Sequence, residues 1–117
     1  MEEFRLICDR KDEIMILRTY GYINDISAEE IEKTCKNLMS KGYKKFIINF
    51  AHSPVINSIG ISILIGVIEY VIEEKGGILC FCELTPTNRK TFEIIGLEDY
   101  VKIFENEEDA LKYVTEK

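Results

Sequence analysis

The 117-residue sequence predicts an α/β fold with a mixed, mostly parallel five-stranded sheet and about four helices, and three features predict it. Short β-rich apolar runs alternate with stretches of helical period. Two of those runs, residues 45–50 and 78–83, are apolar at consecutive positions, as in strands buried on both faces. The helical stretches start at capping residues and stop at glycines. Parallel neighbours need crossover connections, so the expected order is β-β-α-β-α-β-α-β-α. Residues 1–117 are expected to form one domain, because no linker, low-complexity tract or long-period repeat divides them. A chain of this size buries roughly 65% of its unfolded surface, enough for a core without disulfide or metal staples.

Residues 4–8 and 13–20 read as an opening hairpin around a polar turn at 9–12. Ser27 with Glu30 reads as a capping box, and Ile31, Cys35, Leu38 and Met39 recur at helical spacing until Gly42 offers a left-handed stop. A second helix is expected over 59–72, ended by Gly76 and Gly77. On a helical wheel its only non-apolar stripe is Ser62, Gly66, Glu69 and Glu73. Its body is therefore expected to be buried, and its first turn, with Ile59 and Ile61 around Gly60, to be the exposed contact. Thr85 before Pro86 begins a short helix that Gly96 closes. Residues 101–104 form the last strand. Asn106 caps a terminal helix whose first turn sets Glu107, Glu108 and Asp109 against the helix dipole.

Composition excludes several functions. A formal net charge of −6 repels nucleic-acid backbones and anionic bilayers, so neither is expected as a main partner. Lys41, Lys44 and Lys45, the only tight basic cluster, read as a solvated helix end and strand entrance. Met1-Glu2-Glu3 is acidic where a secretory leader is basic, and no apolar run reaches the ~18 residues that span a membrane; a cytoplasmic location is expected. Cys8, Cys35, Cys80 and Cys82 lack C-x-x-C spacing, and the chain has one histidine, so the thiols read as core residues and no metal or cofactor is expected.

The informative segment is the loop 51–60 at the C-terminal end of a central strand, where open α/β sheets place their ligand sites. Asn57 and Ser58 both suit a helix N-cap, and either can bond the free amides of the first turn. A nucleophilic Ser58 with His52 as base lacks the Gly-x-Ser-x-Gly elbow, so no catalytic residue is expected. A nucleotide site has the loop-to-helix junction in its favour, without any Gly-rich phosphate loop.

Gly21-Tyr22-Ile23-Asn24 is similar to the Gly-x-Leu-Asp that follows the second strand in STAS domains. Ile56-Asn57-Ser58-Ile59-Gly60-Ile61 resembles their Asp-Ser-Ser-Gly-Leu signature. Leu84-Thr85-Pro86, Phe92, Gly96-Leu97 and the acidic run into Ala110-Leu111 match the rest of that pattern in order and spacing. Nearly the whole chain thus resembles the STAS family, most closely its bacterial anti-sigma factor antagonists. The resemblance implies phosphorylation at Ser58 by the partner, an anti-sigma factor serine kinase of histidine-kinase-like ATPase fold, and dephosphorylation by a PP2C-type phosphatase. The unphosphorylated form would bind that partner and release a sigma factor, through Asn24, Asp25, Val55, Ile56, Asn57, Ile59, Gly60 and Ile61. Nucleotide binding, or a scaffold role in a larger signalling complex, is the alternative. Asn57 stands where the family has Asp, Ile59 replaces the second serine, and Asn24 replaces another Asp.

Overall fold

The computed structural model describes residues 3–117; Met1 and Glu2, on which the absence of a basic leader was argued, lie outside them. Strands β1 (Arg5–Lys11) and β2 (Ile14–Tyr20) form the opening hairpin, followed by helix α1 (Asp25–Ser40), β3 (Lys45–His52) and α2 (Ser58–Ile68). A π-helical segment, Glu69–Glu74, continues α2 and leads to β4 (Ile78–Cys82), α3 (Pro86–Ile95), a 3-10 turn at Leu97–Asp99, β5 (Lys102–Phe104) and α4 (Glu107–Thr115). The sheet order is β1-β2-β3-β4-β5, with β1 antiparallel to β2 and the other pairings parallel.

This strand order decides where the helices lie. Each parallel crossover steps to the next strand in the same direction, and crossovers are right-handed, so α1, α2 and α3 share one face. There they cover Met15, Leu17, Phe46, Ile48, Phe50, Leu79 and Phe81 in the main core. The opposite face is left to α4, whose Ala110 and Val114 close a smaller cluster with Ile14, Ile16, Ile47, Cys80 and Cys82. Burial pushes the Cys80 thiol up to about 12 and raises that of Cys82 further, so both stay protonated near neutral pH. Among the described residues no group of three His, Cys, Asp or Glu gathers as a metal site, and no helix is long and apolar enough to cross a membrane.

Four expectations need correction. β1 runs on to Lys11, because an edge strand tolerates charged residues; Asp12 and Glu13 alone make the turn, with Asp12 at φ 56°. Asn24, not Ser27, caps α1: its Oδ1 accepts from Ser27 N at 3.0 Å while Ser27 Oγ accepts from Asn24 N at 2.8 Å, so Ser27, the third helical residue, is the partner that completes the box. α2 stops at Ile68 in favour of the π-helix, which keeps Val71 in the core while Gly77 passes under the Lys44 carbonyl. His52 belongs to β3, its ring stacked on Tyr20 at 4.7 Å. The starts of α3 and α4, at Thr85 and Asn106, agree with the sequence.

Where α4 meets the sheet, the smaller face turns polar. Arg18 donates to both carboxylate oxygens of Glu107, at 3.0 and 2.9 Å, and to Asp9 at 3.1 Å; Asn49 Nδ2 also donates to Glu107 Oε1 at 2.9 Å. These bonds, Arg18 first, hold the Glu107 carboxyl below its ordinary value against the opposing effect of burial. A lowered folded value means that the stabilisation is present above the unfolded carboxylate range, about 4.3, and is lost as pH falls through the folded value. Glu107→Gln is expected to lower urea-unfolding stability by about 1 kcal/mol near neutral pH, allowing for partial exposure, and by progressively less as pH falls below the unfolded carboxylate range to about 3. Equal losses at both pH values would show that charge has no part in the link.

Candidate functional site

Two loops at the C-terminal ends of β2 and β3 are joined by backbone hydrogen bonds before α2 begins. Gly21 N donates to His52 O at 2.9 Å, Ile23 N to Val55 O at 3.0 Å, and Asn57 N to Ile23 O at 3.0 Å, with Ile23 and Ile56 forming a parallel bridge. The bridge extends the β2–β3 pairing past the strand ends and fixes where α2 starts. A buried polar cluster holds the second loop from below. Thr19 and Ser53 hydroxyls lie 2.7 Å apart, and Asn88 Nδ2 donates to the carbonyls of Ser53 and Pro54 at 3.1 and 3.3 Å.

Asn57 is the N-cap of α2. Its Oδ1 accepts from Gly60 N at 2.7 Å, and its Nδ2 donates to the Tyr22 hydroxyl at 3.0 Å. Ser58 is therefore the first helical residue and lies outside the capping bond; it is exposed, and only its carbonyl is engaged, by Ser62 Oγ at 3.2 Å. Ile61 N is satisfied by Asn57 O, which leaves the amides of Ser58 and Ile59 as the unpaired donors expected at a helix start. No acidic residue stands in the first turn to oppose the dipole's positive end.

The close approach of this turn requires glycine at position 60. A Cβ there would lie 2.8 Å from Ile23 O and 3.2 Å from Asn57 Oδ1, the two groups that position the helix start. The candidate contact residues separate accordingly. Val55 and Ile59 are exposed, Ile59 by 56%, and Asp25 is exposed, whereas Ile56, Gly60 and Ile61 are buried and position the turn from beneath. The expectation that Ile61 is an exposed contact is thus corrected: its side chain joins the main core. Asn24 is half-buried and serves as the α1 cap.

Tyr22 and Ile26, which sequence reasoning passed over, are exposed in the neighbouring loop and the first turn of α1, Ile26 by 73%. Ile26 could have been found as an isoleucine off the buried α1 stripe of Ser27, Ala28, Ile31 and Cys35. Tyr22 carried no such signal. His52 is not brought to Ser58: its ring faces a polar depression with Glu3, Arg5, Tyr20, Gly21 and Pro54, and Arg5 lies over the far partner of the stack, Tyr20, at 4.9 Å.

Fold and site together define an α/β module that presents a capped helix start between two backbone-paired loops. The STAS domain pattern matches residues 6–110, and the chain belongs to that family. BtrV of Bordetella bronchiseptica, assigned as an anti-sigma factor antagonist, is 26% identical over 106 residues, covering 91% of this chain and 90% of its own. A Thermotoga maritima protein of the same assignment, known from its crystal structure, superposes with a TM-score of 0.85 at 19% identity, covering 94% of each chain. The Bacillus cell fate determinant SpoIIAA in its phosphorylated form superposes at 0.72 with 24% identity, covering 96% of this chain and 99% of that one. The two structural likenesses establish the fold.

Gly60→Ala is expected to cost about 1–3 kcal/mol in thermal or urea unfolding, because backbone and cap must both shift. Asn88→Leu should cost a comparable ~1–3 kcal/mol by orphaning two carbonyls, and should raise amide exchange in residues 53–57. Unchanged exchange there would remove Asn88 from the support of the loop.

Proposed function

We propose that the protein is an anti-sigma factor antagonist whose unphosphorylated form binds an anti-sigma factor and frees a sigma factor, with phosphorylation of Ser58 ending the complex. One observation carries the reading. Ser58 stands exposed at the positive end of α2, outside the cap, beside exposed Val55 and Ile59. The assignment of BtrV supports it at the level of the whole protein. The binding face is proposed as Asn24, Asp25, Val55, Asn57 and Ile59, enlarged by Tyr22 and Ile26, with Ile56, Gly60 and Ile61 as its buried support. The kinase is proposed to be the anti-sigma factor itself, of histidine-kinase-like ATPase fold, and the phosphatase one of the PP2C type.

The switch is energetically adequate. A phosphate adds about 1.5 to 2 negative charges, and weakening a complex from nanomolar to micromolar takes only about 4 kcal/mol. Burying an unpaired dianion against Ile59 and Val55 costs several kcal/mol. Without a partner the same phosphate is tolerated, because the helix end attracts it by about 0.3–1 kcal/mol and Asn57, unlike an aspartate, does not repel it.

Incubation with the cognate anti-sigma factor and ATP is expected to place one phosphate on Ser58, mapped by mass spectrometry. Ser58→Ala should keep affinity within about threefold, whereas Ser58→Asp should weaken it by at least about tenfold. Phosphate elsewhere, or equal affinity of the two variants, sinks the proposal.

A further inference from the structure

We infer that the groove between the far end of α2 and α3 is a second docking surface, shaped for a basic amphipathic helix of a partner protein. The groove has a volume of about 310 Å³. Buried Ile68 and Leu97 form its floor, Ile65 and Ile95 its walls, and Tyr100 its rim, while Glu69 and Glu73 run along the helix edge. Tyr100 is 63% exposed and Ile95 48% exposed, so the outer side of the groove is open to solvent.

The charge around it selects the partner. Glu69 and Glu73 take part in none of the six ion pairs among the described residues, and no Lys or Arg lines the groove. Lys36 of α1 and Lys75, which follows the π-helical segment, lie over the Tyr70 ring, at 5.0 and 5.5 Å. In the turn that carries Leu97, outside the groove lining, Glu98 shares Arg89 with Glu93, and exposed Asp99 has no cation in those pairs. An apolar floor with an uncompensated negative edge fits a helix with apolar residues on one face and Lys or Arg along its flank. The same edge repels an anionic membrane.

The backbone marks the same place. α2 changes to π form at Glu69, where Lys75 N donates to Tyr70 O five residues back. Such π turns within helices are frequent at functional sites. Here the change sets Glu69 and Glu73 on the surface while Val71 stays fully buried. Ser58 lies about 16 Å away along the helix axis, so this surface stands apart from the proposed phosphorylation site.

The test titrates the full chain with a synthetic helical peptide of about 18 residues, bearing Leu at i, i+3, i+4 and i+7 and Lys at its flanks, and with a twin carrying Glu for Lys. The Lys peptide is expected to bind with Kd of about 10–100 μM, at least about tenfold more weakly to the Glu69→Lys/Glu73→Lys and Ile95→Asp variants, and equally to Ser58→Asp. These substitutions fall on surface positions, and circular dichroism verifies their folding. Equal binding of the Glu peptide, equal binding by the groove variants, loss of binding in Ser58→Asp, or no saturation by about 1 mM each overturns the inference. So does a dimer in sedimentation equilibrium that Ile95→Asp dissociates, since the face would then belong to a second copy.

Discussion

The packing of α2's first turn against the backbone of Ile23 is the constraint on which the candidate site depends, because it locks together the two loops that follow β2 and β3. Ile23 O receives the Asn57 amide, and the same carbonyl would stand 2.8 Å from any Cβ at position 60. With glycine there, α2 begins where the loop bridge ends, and Asn57 is held in extended backbone geometry for its capping bond. The hydroxyl pair of Thr19 and Ser53, with the amide of Asn88, supports this arrangement from the core. Each of these polar groups is buried and paired, and among the described residues no buried side-chain polar atom lacks a partner.

Division of labour between neighbouring residues follows from that geometry. A cap must place its side-chain oxygen over the first-turn amides, and Asn57 does so with one end of its amide while the other reaches Tyr22. Ser58 is then free of structural duty, and its exposure separates it from the core beneath. Chemistry added at Ser58 would change the surface charge without removing a bond that the fold needs. Had Ser58 been the cap, modification would have altered the helix start as well.

The sheet explains why α2 is so apolar. A strand order that advances without reversal gathers three helices on one face, and α2 lies over the central strands with α1 packed against it. Leu64, Val67 and Val71 meet the sheet while Ile61 and Ile68 complete the same core. α3 leaves the far end of α2 less covered, which is where the apolar groove opens. α4 closes the other face alone, and the Arg18–Glu107 pair fixes its first turn to β2.

The fold and most of the site's position could be read from residues in order, since they depend on local periodicity and capping chemistry. Consecutive apolar runs marked β3 and β4, Pro86 and Gly96 bounded α3, Asn106 started α4, and Asn57-Ser58 marked the entrance of α2. Other features depend on partners distant along the chain. Asp9 to Lys11 look like a turn until β1 proves to be an edge, and Ile61 looks like Ile59 until helix phase turns one inward and the other to solvent. The choice between Asn57 and Ser58 as cap, the requirement for Gly60 against Ile23, and the support from Asn88 thirty-five residues away from Ser53 were decided by tertiary packing alone. Local spacing specifies which face or end of an element a residue occupies, but only the packed chain specifies which backbone stands opposite it. Ser58 was therefore visible in the sequence as a helix-start serine, and its release from capping duty was visible only in the structure.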